Sequence, residues 1–328
     1  MFRCDAGADH GLGHLSRCVA IADAVVARGG VAHFYVHADD HLRAFAGRHE
    51  WHAAASDTGM ACDLTFMRDE LKRKPDGVLV VDNKRVAKDY VSALRALRPT
   101  AQIVDGDPRD SAAGLVINNH PGAEAFAGQG PFLLGPGYNT IRPGYFAAAE
   151  KSDRRAVLIT MGGEDPGNHT AWVLRHLGDL FAGRPVIAVI GPAHSDPDAV
   201  EAAAKDVPGT EIHRAPRDLV ALAERSEIAI SAGGTTCYEL AAAGIATAAI
   251  ATEPHQQALI APLAERGALL PLGDGDLSIE FARSAVGNLL TQPALRGNIA
   301  AAARALFPAP GAPRIADALF ELSERTTK

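Results

Sequence analysis

The chain has 328 residues, 47% of them hydrophobic and 22% charged, with a formal net charge of −7. This is about twice the ~100–200 residues usual for one domain, so two domains are expected, with the composition of an ordinary globular protein. The acidic balance argues against sequence-independent nucleic-acid binding, which needs a basic face to displace counterions from phosphates. No stretch approaches the ~18 apolar residues of a membrane span. Arg3 and Asp5 precede any apolar run, so no signal peptide is read and a cytoplasmic location is expected. The four cysteines, Cys4, Cys18, Cys62 and Cys237, are scattered without a C-x-x-C pair and are expected to be reduced, buried small residues.

Taken in chain order, Met1–Asp5 reads as a short strand, followed by "HGLGHLSR" (10–17) and an amphipathic helix over 14–29. Further β-rich runs are "VAHFYVH" (31–37), "GVLVVDN" (77–83), "AQIVDGD" (101–107) and "AGLVINN" (113–119), with helical spacing between them. Near-continuous apolar strands separated by helices predict a parallel sheet covered on both faces. The stretch 135–155, rich in Gly, Pro and charge, reads as an interdomain crossing. A second series follows at 156–163, 185–192, 210–216, 227–234, 246–252 and 268–274, and the remainder is helical with a Pro/Gly break at 308–313. The fold class is therefore α/β, two Rossmann-like, doubly wound domains over 1–145 and 153–328, with the last helix able to pack back on the first. Ligands of open α/β sheets bind beyond the carboxyl ends of the strands, and two such halves are expected to face a cleft.

Four strand-to-helix loops carry chemical content. In the first, Gly7, Gly11 and Gly13 precede His14 in a pattern that is neither a dinucleotide fingerprint nor a Walker loop. His14 falls at a helix start, where the positive dipole end disfavours imidazolium; it reads either as a neutral proton acceptor or as a plain turn histidine. In the second, "TMGGEDPGNHT" (160–170), Gly162–Gly163 permits close backbone approach, and the following helix N-terminus can receive a phosphate. The alternative is an ordinary turn capped by Asn168 or Thr170. In the third, "SAGGTTCYELAAAG" (231–244), Gly233–Gly234 leads into a helix with Thr235 or Thr236 as cap. Glu239 there is either a helix-start charge or an acceptor for vicinal ribose hydroxyls. In the fourth, Glu253, His255, Gln256 and Gln257 begin a helix with hydrogen-bonding side chains. No H-E-x-x-H occurs and no metal site is read; "DGD" (105–107) precedes Pro108 and is taken as a turn.

Together, "RCDAGADHGLGHLSRCVAIA", "FLLGPGYNTIRPGYF", "VLITMGGEDPGNHT", "SEIAISAGGTTCYELAAAG" and the "EPHQQ" helix resemble a family of nucleotide-sugar hydrolases, in order and over nearly the whole chain. That family acts on UDP-2,4-diacetamido-2,4,6-trideoxy-β-L-altropyranose in pseudaminic acid biosynthesis. The second half also resembles the UDP-binding half of the glycosyltransferase that forms lipid II. The resemblance implies a GT-B fold and a metal-independent, cofactor-free monomer. His14 would deprotonate water, which attacks the anomeric carbon with inversion as UDP leaves. The sugar would be held by Asp5, Gly11, Gly13, Arg17, Asp82, Asn83, Lys84 and Arg142. UDP would be held by Met161, Gly162, Gly163, Ala232, Gly233, Gly234, Thr235, Glu239, His255, Gln256 and Gln257. Asp82-Asn83-Lys84 departs from the Asp-His-Tyr of typical members, which leaves the exact sugar open. A true UDP-sugar glycosyltransferase and a non-catalytic nucleotide-sugar binding protein are the alternatives. With aromatics at 5%, the first half shows no membrane-docking patch, which favours water as acceptor.

Overall fold

The computed structural model describes residues 1–6, 13–37, 43, 47, 49–54, 59–74, 76–83, 86–216, 218–274 and 276–325. They divide into two compact units, 1–141 with 310–328, and 142–309. The boundary thus falls at 141/142. Residues 142–152, read in sequence as the end of the first domain and a linker, belong to the second unit.

Among its described residues the first unit has seven parallel strands: β1 (Phe2–Asp5), β2 (His33–His37), β3 (Glu50–Ala53), β4 (Leu79–Asp82), β5 (Thr100–Ile103), β6 (Leu115–Asn118) and β7 (Phe132–Leu134), in the order β3-β2-β1-β4-β5-β6-β7. β3 and β7 escape the sequence reading because "EWHA" and "FLL" are short and lie at the edges. Helices α1 (Gly13–Ala27), α2 (Met60–Arg73) and α3 (Lys88–Arg95) cover the sheet. Strand side chains alternate between two cores. Phe2, Cys4, Phe34, Val36 and Val80 face one side with Leu15 and Ile21 of α1, while Tyr35, Leu79 and Val81 face the other with Met67 of α2 and Leu94 of α3.

Among its described residues the second unit has six parallel strands, β8 (Ala156–Thr160), β9 (Val186–Ile190), β10 (Thr210–Arg214), β11 (Ser226–Ala232), β12 (Ala246–Ile250) and β13 (Leu270–Gly273), in the order β10-β9-β8-β11-β12-β13. Its helices are α4 (Pro143–Ala148), α5 (His169–Leu177), α6 (Pro197–Ala204), α7 (Val220–Ala223), α8 (Thr236–Ala242), α9 (Gln256–Glu265), α10 (Ile279–Thr291) and α11 (Pro293–Leu306). The chain then returns to the first unit as α12 (Ala312–Glu324). There Ile315 and Leu319 join the core under α1, each contributing about 1.5–3 kcal/mol by burial.

Each sheet begins at its centre, runs outward on one side, and restarts on the other. Both are Rossmann-like, and the protein has the GT-B fold of two such domains. The strand order reverses between β1 and β4 in one sheet and between β8 and β11 in the other. At such a switch point neighbouring loops diverge and leave a crevice at the carboxyl ends. Three cysteines are buried as expected, but Cys62 is exposed on α2.

Candidate functional site

At the switch point of the first sheet, α1 starts after β1 and places His14 one residue into the helix, with its side chain 7% exposed. β4 ends on Asp82, which is fully buried. His14 Nδ1 and Asp82 Oδ1 are 2.7 Å apart. A carboxylate only accepts, so Nδ1 carries the proton and Nε2 is left to accept one. Arg17 Nη2 is 3.1 Å from the same Nδ1. The shorter contact decides, since bringing two lone pairs to 2.7 Å would be repulsive.

Arg17, one turn along α1, holds Asp82 from the other side. Its Nε donates to Oδ2 at 2.6 Å and its Nη2 to Oδ1 at 2.5 Å. Burial would push the Asp82 carboxyl up, but the Arg17 charge and the hydrogen bonds from Arg17 and His14 prevail and hold it below its ordinary value. Burial opposes the Arg17 charge too, and Asp82 with Asp105 overcomes it, so the guanidinium is held well above its ordinary value. Asp82 is therefore ionised at neutral pH and can stabilise an imidazolium on His14.

The network extends to two residues to which the sequence assigns no part in a site. Arg17 Nη1 donates to Asp105 Oδ1 at 2.5 Å, and His120 Nε2 lies 2.9 Å from the same oxygen. The Asp105 side chain is 50% exposed. Burial raises its pKa, but the hydrogen bond from His120 and the charge of Arg17 depress it strongly. The "DGD" run is thus half a turn and half a site: Asp107 caps a short 3-10 helix by accepting from Arg109 N, while Asp105 faces Arg17. The signal was its position beyond the end of β5, beside β4, which only the strand order reveals.

Of the other residues assigned to the sugar, Gly11 and Lys84 lie outside the described residues. Asp5 accepts from Arg3 Nη1 at 2.5 Å, within an ion-pair group that includes Asp63. Gly13 opens α1 with empty space where a Cβ would stand. Asn83 follows Asp82, and its buried Oδ1 has no hydrogen-bond partner among the described residues. Arg142 falls in the second unit, where its Nη2 donates to Glu239 Oε1 at 3.4 Å, its Nη1 is 3.6 Å from Asp218, and its guanidinium lies over the Tyr145 ring. It is a neighbour of a residue assigned to UDP.

At the switch point of the second sheet, Met161 is buried and Gly162 turns the chain with φ +79°. A Cβ at Gly162 or Gly163 would meet nothing within 4 Å, so this backbone is open. The start of α5, in contrast, is occupied. The carboxylate of Asp165, itself 1% exposed, accepts from His169 N at 2.7 Å and from Thr170 N at 2.9 Å. Those are the amide groups that the sequence reading offered to a phosphate, so the helix-start cradle is corrected: Asp165 satisfies them. Asp165 is also the cap, in place of Asn168 or Thr170; Asn168 makes no side-chain cap bond.

β11 ends on buried Ala232 and leads through Gly233–Gly234 into α8, where neither Thr235 nor Thr236 supplies a side-chain cap. Gly233 is needed for packing, because a Cβ there would stand 2.4 Å from Ile260 Cδ1 on α9. Gly234 is open. Glu239 lies one turn into α8 with its side chain 21% exposed, and burial raises its pKa against the pull of Arg142. Gln256 is a staple: its Oε1 accepts from Gly233 N at 3.1 Å, Thr252 N at 3.0 Å and Thr252 Oγ1 at 3.1 Å. That carbonyl is committed to the loop and is not offered to a ligand. Gln257 and Asp274 instead line a pocket of about 310 Å³ with Ala251, Thr252, Glu253 and Pro254. His255 is exposed, with Nδ1 3.4 Å from Glu253.

The class that this architecture defines is the GT-B fold, and solved structures agree. MurG of Acinetobacter baumannii superposes with a TM-score of 0.67 at 15% identity, over 98% of this chain and 99% of that one. A UDP-glucosyltransferase from Polygonum tinctorium gives 0.72 at 14% identity, over 98% of each chain. The spinosyn rhamnosyltransferase SpnG, complexed with thymidine diphosphate, gives 0.65 at 18%, over 97% of this chain and 100% of that one. In sequence, the chain is similar to the spore coat polysaccharide biosynthesis protein SpsG of Bacillus subtilis (strain 168), 25% identical over 287 residues, 83% of each chain. No protein family's profile matches it. Among the described residues, no helix is long and apolar enough to cross a membrane.

Proposed function

We propose that this protein is an enzyme of nucleotide-sugar chemistry, with His14 as a general base oriented by Asp82, and that it transfers the sugar to an acceptor hydroxyl. The observation that carries the reading is the buried 2.7 Å contact between His14 Nδ1 and Asp82 Oδ1 at the first switch point. It leaves Nε2 to take the hydroxyl proton as the oxygen bonds to the anomeric carbon. The bond from that carbon to the diphosphate breaks, and its electron pair leaves with the nucleotide. The second unit supplies the nucleotide site, with the open backbone at Gly162, Gly163 and Gly234 toward the diphosphate and Glu239 toward the ribose hydroxyls. Transfer is favoured over hydrolysis because the solved neighbours named above include two described as transferases, and the curated relative is named for polysaccharide biosynthesis.

Hydrolysis of a UDP-linked 2,4-diacetamido-2,4,6-trideoxy hexose is the second reading. It is favoured by the glycine–histidine motif and the four further segments in which the chain resembles the hydrolases of pseudaminic acid biosynthesis. One assay separates the two. The protein is incubated with UDP- and TDP-linked sugars, with and without candidate acceptors, and free nucleotide and free sugar are measured. Nucleotide release that requires an acceptor is the expected result. Equal release of free sugar without acceptor moves the assignment to the hydrolase, and nucleotide affinity without turnover reduces the protein to a binder.

A further inference from the structure

On β2 and the edge strand β3, away from the switch point where His14 stands, three side chains meet that the proposed reaction does not use. β2 and β3 pair in parallel with His33 beside Glu50 and Tyr35 beside His52. Residues two apart on a strand share a face, so His33, Glu50 and His52 project together. His33 Nδ1 is 2.7 Å from Glu50 Oε2, and His52 Nε2 is 3.8 Å from the same oxygen. One donor atom from each residue lies within 4.8 Å of the others. Around a tetrahedral ion with bonds of about 2.0–2.2 Å, neighbouring donors are about 3.3–3.6 Å apart. The measured separations bracket that value.

Two further observations point to a cation. The His52 ring is stacked on Tyr35, with centroids 4.8 Å apart and planes at 13°, so its orientation is fixed. Its Nε2 is nonetheless a buried atom with no hydrogen-bond partner among the described residues. Lys74 already brings a positive charge into the cluster, with Nζ 2.7 Å from His33 Nδ1 and 3.4 Å from Glu50 Oε2.

We propose that His33, Glu50 and His52 form a binding site for a divalent transition-metal ion of the zinc type, and that the Lys74 ammonium is the cation it displaces. Two imidazoles and a carboxylate suit Zn²⁺, Co²⁺ or Ni²⁺, and three protein ligands leave a position for water. The ion ties the edge strand β3 to β2, so its consequence is to secure the sheet edge. The sequence reading found no metal site because β3, which carries two of the three ligands, was not recognised as a strand.

The test is titration of the full-length, chelator-treated protein with ZnCl₂ by calorimetry and with CoCl₂ by visible absorption. One saturable site is expected, with cobalt bands of low coordination number. His33→Gln and His52→Gln should each weaken Zn²⁺ binding by at least about tenfold, the scale on which metal sites respond even to lost supporting contacts. Lys74→Met, which removes the competing charge, should tighten it by about tenfold. Zn²⁺ should raise the melting temperature of the parent protein and not that of the His33→Gln/His52→Gln double variant, whose folding is checked by its melt in chelator. Absence of saturable binding, or equal affinity in the parent and the double variant, overturns the proposal.

Discussion

The same topology carries opposite materials at its two switch points. Where the first sheet reverses, the groups at the strand ends are polar side chains, with Asp82 and Arg17 locked together as an ion pair in the interior and His14, Asp105 and His120 attached to them. Where the second sheet reverses, the groups are mostly main chain: Gly162, Gly163 and Gly234 leave open backbone, and Asp165 and Gln256 fix the surrounding loops through amide groups. A site that must move a proton needs side chains with defined protonation states, and burial with a counter-charge sets those states. A site that must grip a diphosphate needs donors without bulk, and a rigid loop of amides provides them.

That contrast can be broken most sharply at His14. His14→Ala should lower turnover by about 10²–10⁴-fold, the range of general-base catalysis, while nucleotide affinity measured by calorimetry stays within a few-fold. Comparable losses in both would mean that His14 is a binding residue. Asp82→Asn should destabilise the fold by about 1.5–3 kcal/mol in urea unfolding, because Arg17 loses its buried carboxylate and keeps only the half-exposed Asp105. The pH dependence sharpens the same point. The folded carboxyl is held below its unfolded value of about 4, so the unfolded chain binds more protons in that window. The pair's contribution is complete above that pH and is lost as pH falls through the folded value. Asp82→Asn should flatten the stability profile below about pH 4; an unchanged slope would sink the ion-pair account.

In the second unit the effects should be smaller and of another kind. Glu239→Ala should weaken UDP binding about ten- to a hundredfold, as expected for losing a charged hydrogen bond worth about 1.5–3 kcal/mol, with turnover at saturation nearly kept. Unchanged affinity would leave Glu239 as no more than the partner of Arg142. Gln256→Ala should cost about 1–3 kcal/mol of stability by stranding the amide of Thr252. Gly162→Ala should cost least, about 1–2 kcal/mol, from the left-handed backbone alone.

What could be read from the sequence followed the local rules. The long apolar strands and the glycine pairs that end β8 and β11 were legible because their pattern is contiguous, and so were His14 and Glu239 as candidates. Partnerships across the chain were not. Asp105 meets Arg17 across 88 residues of sequence, and Gln256 reaches Gly233 across 23, through strand neighbours that periodicity does not specify. Asp165 was hidden differently, since a carboxylate in a turn reads as solvated until burial shows that it is satisfying a helix.

The return of α12 to the first unit also has a bearing on synthesis. The second unit, 142–309, is contiguous, so all of its residues have been made before the helix that completes the first. Until residues 312–324 leave the ribosome, the side of α1 at Ala20, Ala24 and Val25 has no cover, and the core that Ile315 and Leu319 join stays incomplete. The half that is translated first is thus the half that is completed last.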